Sequence, residues 1–318
     1  MFNSNSKMKI LFIGMPDMGV VCLNEIMANG KNIVGIVPPP KSDPSYPLLI
    51  QTAAHYKIPC IDFENNLKEP DFLEKVKKLN PDIAIVASYN MLLPRELFEI
   101  PPMGTINCHP SLLPDYRGGN PYFHVVNNNE KITGITYHFM DETFDTGDII
   151  YQQQLPVFEH DTMGTLFNRL NYYCARFYVE LLTKIENGEN LPRIKQIKEG
   201  NLKIASKISP ENGDSMINWT NDAASIERFI RALNPFYGGT TFFRGIMLRI
   251  WKGKYSNHIN VSSLEPGKIV KTTEDMILIS TGNGVFIPEI LQLGTFFTSD
   301  TKDFIKMMSP NVGDIFHS

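Results

Sequence analysis

The chain has 318 residues, 42% hydrophobic and 20% charged, enough to bury one or two ordinary cores, so two domains are the default expectation. A net charge of −4 exerts no general pull toward nucleic acid or an anionic membrane. Cys22, Cys60, Cys108 and Cys174 are widely spaced with no C-x-x-C pair, which suggests neither a zinc site nor a disulfide framework; reduced thiols in a cytoplasmic protein are the plain reading.

In chain order, "MFNSNSKMKILFIG" holds only a short apolar run that turns polar again at Pro16-Asp17, with no cleavage-like site after it. It reads as a first strand over 7–14, not as a signal peptide or membrane span. "MGVVCLNEIMANG" follows as a helix closed by Asn29-Gly30, and "NIVGIV" (32–37) as a second strand. "PPPKSDPSYP" is loop, "LLIQTAAHYKI" and "DFLEKVKKLN" are helices, and "PDIAIVAS" (81–88) is an internal strand that "GTINCH" and "ITGITYHFMD" continue. Continuous apolar strands separated by helices indicate an α/β fold with a doubly wound, mostly parallel sheet over 1–188. A long helix closes it, with Leu166, Leu170, Tyr173, Phe177 and Leu181 on one stripe that reads as core packing. The polar stretch 189–206 reads as a linker. From 207 to 318, beyond one helix (222–234), short strands with turn punctuation predict a small β-rich, barrel-like domain.

The chemistry gathers at "INCHPSLLPDYRGG" (106–119). Side chains alternate along a strand, so Asn107 and His109 share a face while Cys108 takes the other. Ligands of open α/β sheets collect beyond the carboxyl ends of strands, where this pair sits. An amide can donate to an oxygen that gains negative charge, and an imidazole can shuttle a proton near neutral pH. The same two residues would also serve as a strand cap and a turn. "DETFDTGD" (141–148) offers Asp141, Glu142, Asp145 and Asp148 as carboxylates to orient the histidine. "GMPDMG" is not G-x-G-x-x-G, so a dinucleotide site at the first turn has little support.

"NCHPSLLPDYRGG" followed by "TGITYHFMDETFDTGDIIYQ" resembles the core of the folate-dependent formyltransferases. "FIGMPDMG", "IERFIRALNPF" and "LRIWKG" extend the likeness to nearly the whole chain, the last two toward the C-terminal domain of the methionyl-tRNA enzymes. The resemblance implies a Rossmann-like formyltransferase domain and an enzyme that takes a formyl group from 10-formyltetrahydrofolate with no metal. Carried across by motif, the catalytic residues are Asn107, His109 and Asp145. The folate pocket is implied to lie between Ser88, Tyr89, Asn90 and Leu92, the turn Ser111, Leu112, Leu113, Pro114, and the loop Asp141, Glu142, Thr143, Phe144. Attack of a neutral amine turns the formyl oxygen into an oxyanion that Asn107 and His109 would hydrogen-bond, while Asp145 fixes the imidazole ring. His124, His138 and His160 have no comparable partners in sequence and are expected to be dispensable for the chemistry.

The acceptor is a small or carrier-linked amine, expected at Arg117, Gly119 and Asn120. The loop "PPPKSDPSYP" carries one lysine, Lys41, and one aspartate, Asp43, where the methionyl-tRNA enzymes carry a basic insertion. From Lys207 onward, eleven Lys and Arg face eleven Asp and Glu. Phosphate binding draws on clustered cations. The charge pattern therefore favours a nucleotide-linked amino sugar, with methionyl-tRNA as the alternative. A formyltetrahydrofolate hydrolase and a non-catalytic folate-binding module are the remaining readings.

Overall fold

The apolar runs of the first half become the strands of one sheet. In the computed structural model, which describes residues 7–197, 200–259, 264–295 and 297–318, these are β1 (Lys9–Gly14), α1 (Pro16–Ala28), β2 (Asn32–Val37), α2 (Tyr46–His55), α3 (Pro70–Lys78), β3 (Ile83–Ala87), α4 (Arg95–Phe98), β4 (Thr105–His109), β5 (Arg117–Gly118), α5 (Pro121–Asn127), β6 (Ile132–Phe139), β7 (Ile149–Pro156), α6 (Met163–Glu186) and β8 (Ile204–Ala205). Proline at the start of α1 and α3 suits the first helical turn, whose amides lack intrahelical partners in any case. Gly30, at φ +68°, follows the capped end of α1.

Six strands order as β2-β1-β3-β4-β6-β7. β1 to β4 run parallel, and β6 and β7 are added antiparallel. The sheet is therefore doubly wound and mostly parallel. One face packs Leu11, Ile13, Val86, Phe63, Phe72 and Val76 into a buried cluster. On α6 the fully buried residues are Leu166, Leu170, Cys174, Tyr178 and Leu182. The stripe is thus rotated from the predicted one, because Tyr173 and Phe177 lie at its half-buried flank. Tyr178 donates its hydroxyl to Val86 O at 2.5 Å, which gives the phenol a partner inside the core.

The chain after 205 supplies α7 (Ala223–Leu233), β9 (Gly239–Phe243), β10 (Ile246–Ser256), β11 (Ile269–Thr272), β12 (Ile277–Ser280), β13 (Val285–Leu293), β14 (Phe297–Asp300), α8 (Thr301–Met308) and β15 (Phe316–His317). The strands form one antiparallel sheet of seven in the order β11-β12-β13-β10-β9-β15, with β14 on β13. Trp219, Ile226, Ile230, Phe243, Phe286 and Phe316 are among the residues of its core.

Two compact units result: Met1–Pro121 with Ile132–Pro156 and Asn168–Ala205, and Tyr122–Lys131 with Val157–Phe167 and Ser206–Ser318. The polar stretch expected as a linker belongs to the first unit up to Ala205. Ile194 exchanges backbone hydrogen bonds with Ile149, and β8 pairs with β5. Among the described residues, no helix is long and apolar enough to cross a membrane.

Candidate active site

β4 ends the parallel part of the sheet, and β6 pairs with it so that Asn107 lies opposite His138 and His109 opposite Thr136. Asn107, His109 and His138 therefore share one face, and Cys108 and Tyr137 the other. The loop from β6 to β7 returns Asp145 to that face. Asp145 Oδ2 lies 3.4 Å from His109 Nδ1, and Asp145 Oδ1 accepts from Asn107 Nδ2 at 3.4 Å. The structure thus brings together the three residues expected from the motif.

A fourth residue joins them. His138 is 1% exposed, donates Nδ1–H to Phe139 O at 2.9 Å, and presents Nε2 to Asn107 Nδ2 at 3.2 Å and to Asp145 Oδ1 at 3.6 Å. The expectation that His138 lacks partners is corrected here: they come from a cross-strand neighbour and a loop that sequence spacing does not reveal. His124 instead meets Ser206 O at 3.0 Å, and His160 is exposed.

His109 Nε2 donates to Tyr116 O at 2.7 Å, so with Asp145 at Nδ1 both ring nitrogens face oxygen acceptors. Burial alone would push the Asp145 carboxyl up. The opposing influence of His109 and His138 and the Gly118 N–H, which donates to Oδ2 at 3.1 Å, outweighs it and holds Asp145 well below the usual carboxylate range. The contacts of 3.4 Å exceed well-formed hydrogen bonds, so they are the ones that cost least to redirect toward a substrate oxygen.

Gly147 completes the Asp-Thr-Gly turn for want of space: a Cβ there would lie 1.8 Å from Phe139 O. Asp141 braces the same loop, accepting from Thr143 N at 3.1 Å and Thr146 Oγ1 at 2.7 Å. Glu142 and Phe144 are exposed on it, and Arg95 reaches Glu142 at 3.5 Å, which makes the loop a neighbour of the 88–94 turn. On that turn Ser88 takes φ +55°, Tyr89 donates its hydroxyl to Pro38 O at 2.9 Å, Asn90 is exposed and Leu92 is 44% exposed. Leu92 and Phe144, the latter 51% exposed, give both loops an uncovered apolar side chain suited to a flat aromatic ligand.

The Ser111–Pro114 turn is fixed more firmly. Thr136 Oγ1 donates to Ser111 O at 2.6 Å and accepts from Leu113 N at 3.1 Å, and Gln152 donates to Leu113 O at 2.8 Å. Leu113 is buried, while Leu112 and Pro114 are half-buried.

Of the residues expected at the acceptor, Gly119 is exposed and Asn120 half-buried. Arg117 turns inward instead. It is 8% exposed and donates Nε–H to Asp145 O at 3.1 Å and Nη2–H to Gln196 Oε1 at 2.7 Å and Ile197 O at 2.9 Å. Its Nε and Nη2 are thus engaged by the chain's own carbonyls. Gln196 went unread in the sequence because it sits in a polar stretch with no periodicity. Among the described residues, no group of three or more His, Cys, Asp or Glu is arranged to hold a metal ion.

The formyl transferase family model matches residues 8–182, and the model of the formyl transferase C-terminal domain matches 207–308. Methionyl-tRNA formyltransferase of Pelotomaculum thermopropionicum is 34% identical over 305 residues, covering 94% of this chain and 95% of that protein. Among solved structures, HypX from Aquifex aeolicus in complex with tetrahydrofolic acid superposes with a TM-score of 0.67 at 16% identity, over 96% of this chain and 48% of that one. An N-formyltransferase from Helicobacter canadensis, in complex with folinic acid and dTDP-3-aminofucose, gives 0.64 at 21% identity, over 90% and 100%. These two likenesses attest the fold. With matches spanning both its domains, the chain belongs to the formyl transferase family and is a folate-dependent formyltransferase.

Proposed function

We propose that this enzyme formylates the amino group of methionyl-tRNA, with Asn107, His109 and Asp145 carrying the chemistry. The observation that carries the acceptor is the 34% identity to a methionyl-tRNA formyltransferase across 94% of the chain, through both domains. 10-Formyltetrahydrofolate supplies the formyl carbon, and the uncovered Leu92 on the 88–94 turn and Phe144, the residue before Asp145, suit its pterin ring. Asn107 Nδ2 is the donor best able to follow a carbonyl oxygen as it gains charge, since its own contacts are 3.2 and 3.4 Å long. Removing one such donor costs about 3 kcal/mol of barrier. Asp145, kept ionised by its histidines, is the acceptor for the proton that the attacking amine sheds. His109, anchored on Tyr116 O, stands with Nδ1 beside that carboxylate, and the proton leaves the pair again for the folate nitrogen as its bond to the formyl carbon breaks, giving tetrahydrofolate and the N-formylated amine.

A nucleotide-linked amino sugar is the second reading, and one observation favours it. Lys41, the single cation of its loop, lies 3.8 Å from both Asp62 and Glu64, so little positive charge is left there for phosphates. Formyl transfer from 10-formyltetrahydrofolate, measured on methionyl-tRNA and on a set of nucleotide-linked amino sugars, separates the two. Efficient transfer to tRNA is expected; transfer to a sugar without transfer to tRNA overturns the proposal.

A further inference from the structure

The stretch that follows α6 grips the Asp145 loop at consecutive residues. The Arg193 guanidinium lies 3.6 Å from the centre of the Phe139 ring, at the start of the loop. Ile194 pairs with Ile149 through both backbone groups, at 2.8 and 2.9 Å, which fixes the register. Lys195 meets Asp148 at 3.0 Å. Gln196, 9% exposed, donates Nε2–H to Asp145 O at 3.0 Å and to Gly147 O at 2.7 Å, while its Oε1 accepts from Arg117.

The contacts of Gln196 reach a residue in a left-handed backbone state. Asp145 takes φ +57°, a left-handed conformation that aspartate enters more readily than most side chains and that its hydrogen bonds here hold in place. Its carbonyl receives two buried donors, Arg117 Nε and Gln196 Nε2, and its carboxylate receives the N–H of the residue next to Arg117. The Arg117–Gly118 segment thus holds both the peptide and the carboxyl group of Asp145, and Gln196 shares the hold on the peptide. We infer that Gln196, acting with Arg117, is a positioning residue that sets the Asp145 carboxylate against His109 and Asn107. The inference rests on the proposed catalytic role of Asp145.

The test is the rate of formyl transfer per folded enzyme in Gln196→Ala, Asp145→Ala and the double variant. A misplacement on the order of 1 Å costs roughly 100-fold, so Gln196→Ala should lose about 10- to 100-fold in kcat with KM for 10-formyltetrahydrofolate within about threefold. Asp145→Ala should lose about 100-fold or more. The double variant should be no slower than Asp145→Ala, because a residue acting through Asp145 has nothing left to position. Gln196→Glu, which keeps the acceptor for Arg117 but turns a carboxylate oxygen on two carbonyls, should reproduce the kcat loss if the alanine variant fails to fold. Wild-type kcat in the Gln196 variants, or a full further loss in the Asp145→Ala background, overturns the positioning role. Wild-type kcat in Asp145→Ala instead overturns the catalytic reading on which it rests.

Discussion

At Asp145 two physical effects oppose one another. Burial favours the neutral acid, while two imidazoles and an amide N–H favour the carboxylate and prevail, so the folded chain holds this proton less tightly than the unfolded one. A carboxylate so depressed contributes stability that is present above its unfolded value, about 4, and is lost as pH falls through the folded one. The stability advantage of wild type over Asp145→Asn, from urea unfolding, should therefore be largest near neutral pH and shrink below about pH 4. An advantage unchanged between pH 7 and pH 3 would show that the cluster does not hold the ionised form. Three of the four residues of this cluster were legible in the sequence, Asp145 through its motif. Asn107 and His109 are two apart on a strand, and period-two alternation puts them on one face whatever the neighbours are. His138 was not legible, because its place opposite Asn107 depends on β6 running antiparallel to β4. Nor was Gln196, whose only sequence signal is polarity, which a solvated linker shares.

The elements show the same division. β1 to β4 were readable as compact apolar runs because both faces of a parallel sheet are covered. α8 escaped notice, since its eight residues carry only Phe304 fully buried and its start depends on a cap, Asp300 accepting from Asp303 N at 2.8 Å. The loop between β6 and β7 was readable as chemistry but not as shape. Its Gly147 is required by the approach of Phe139 O, and Gln196 then takes the carbonyl of that same residue. Gly147→Ala should destabilise the fold by about 1–3 kcal/mol, as overpacking does, and lower formyl transfer through the displaced Asp145. Urea unfolding together with turnover checks this; a variant of wild-type stability and rate would mean that the loop yields freely.

For the whole molecule, composition excluded little beyond a membrane span, and the charge count pointed toward a small acceptor. Net charge does not report where cations sit. On β10, Lys252 and Lys254 both pair with Glu289, so two cations share one balancing carboxylate. Balanced totals over a domain are therefore compatible with a locally basic face, and the proposed tRNA acceptor rests on full-length likeness to a methionyl-tRNA enzyme. The most direct measurement is single-turnover formyl transfer from 10-formyltetrahydrofolate to methionyl-tRNA by wild type and by Asn107→Ala. Wild type should transfer the formyl group, and the variant should do so about 100-fold more slowly while still binding both substrates. No transfer to methionyl-tRNA by wild type, or an undiminished rate in Asn107→Ala, would contradict the account.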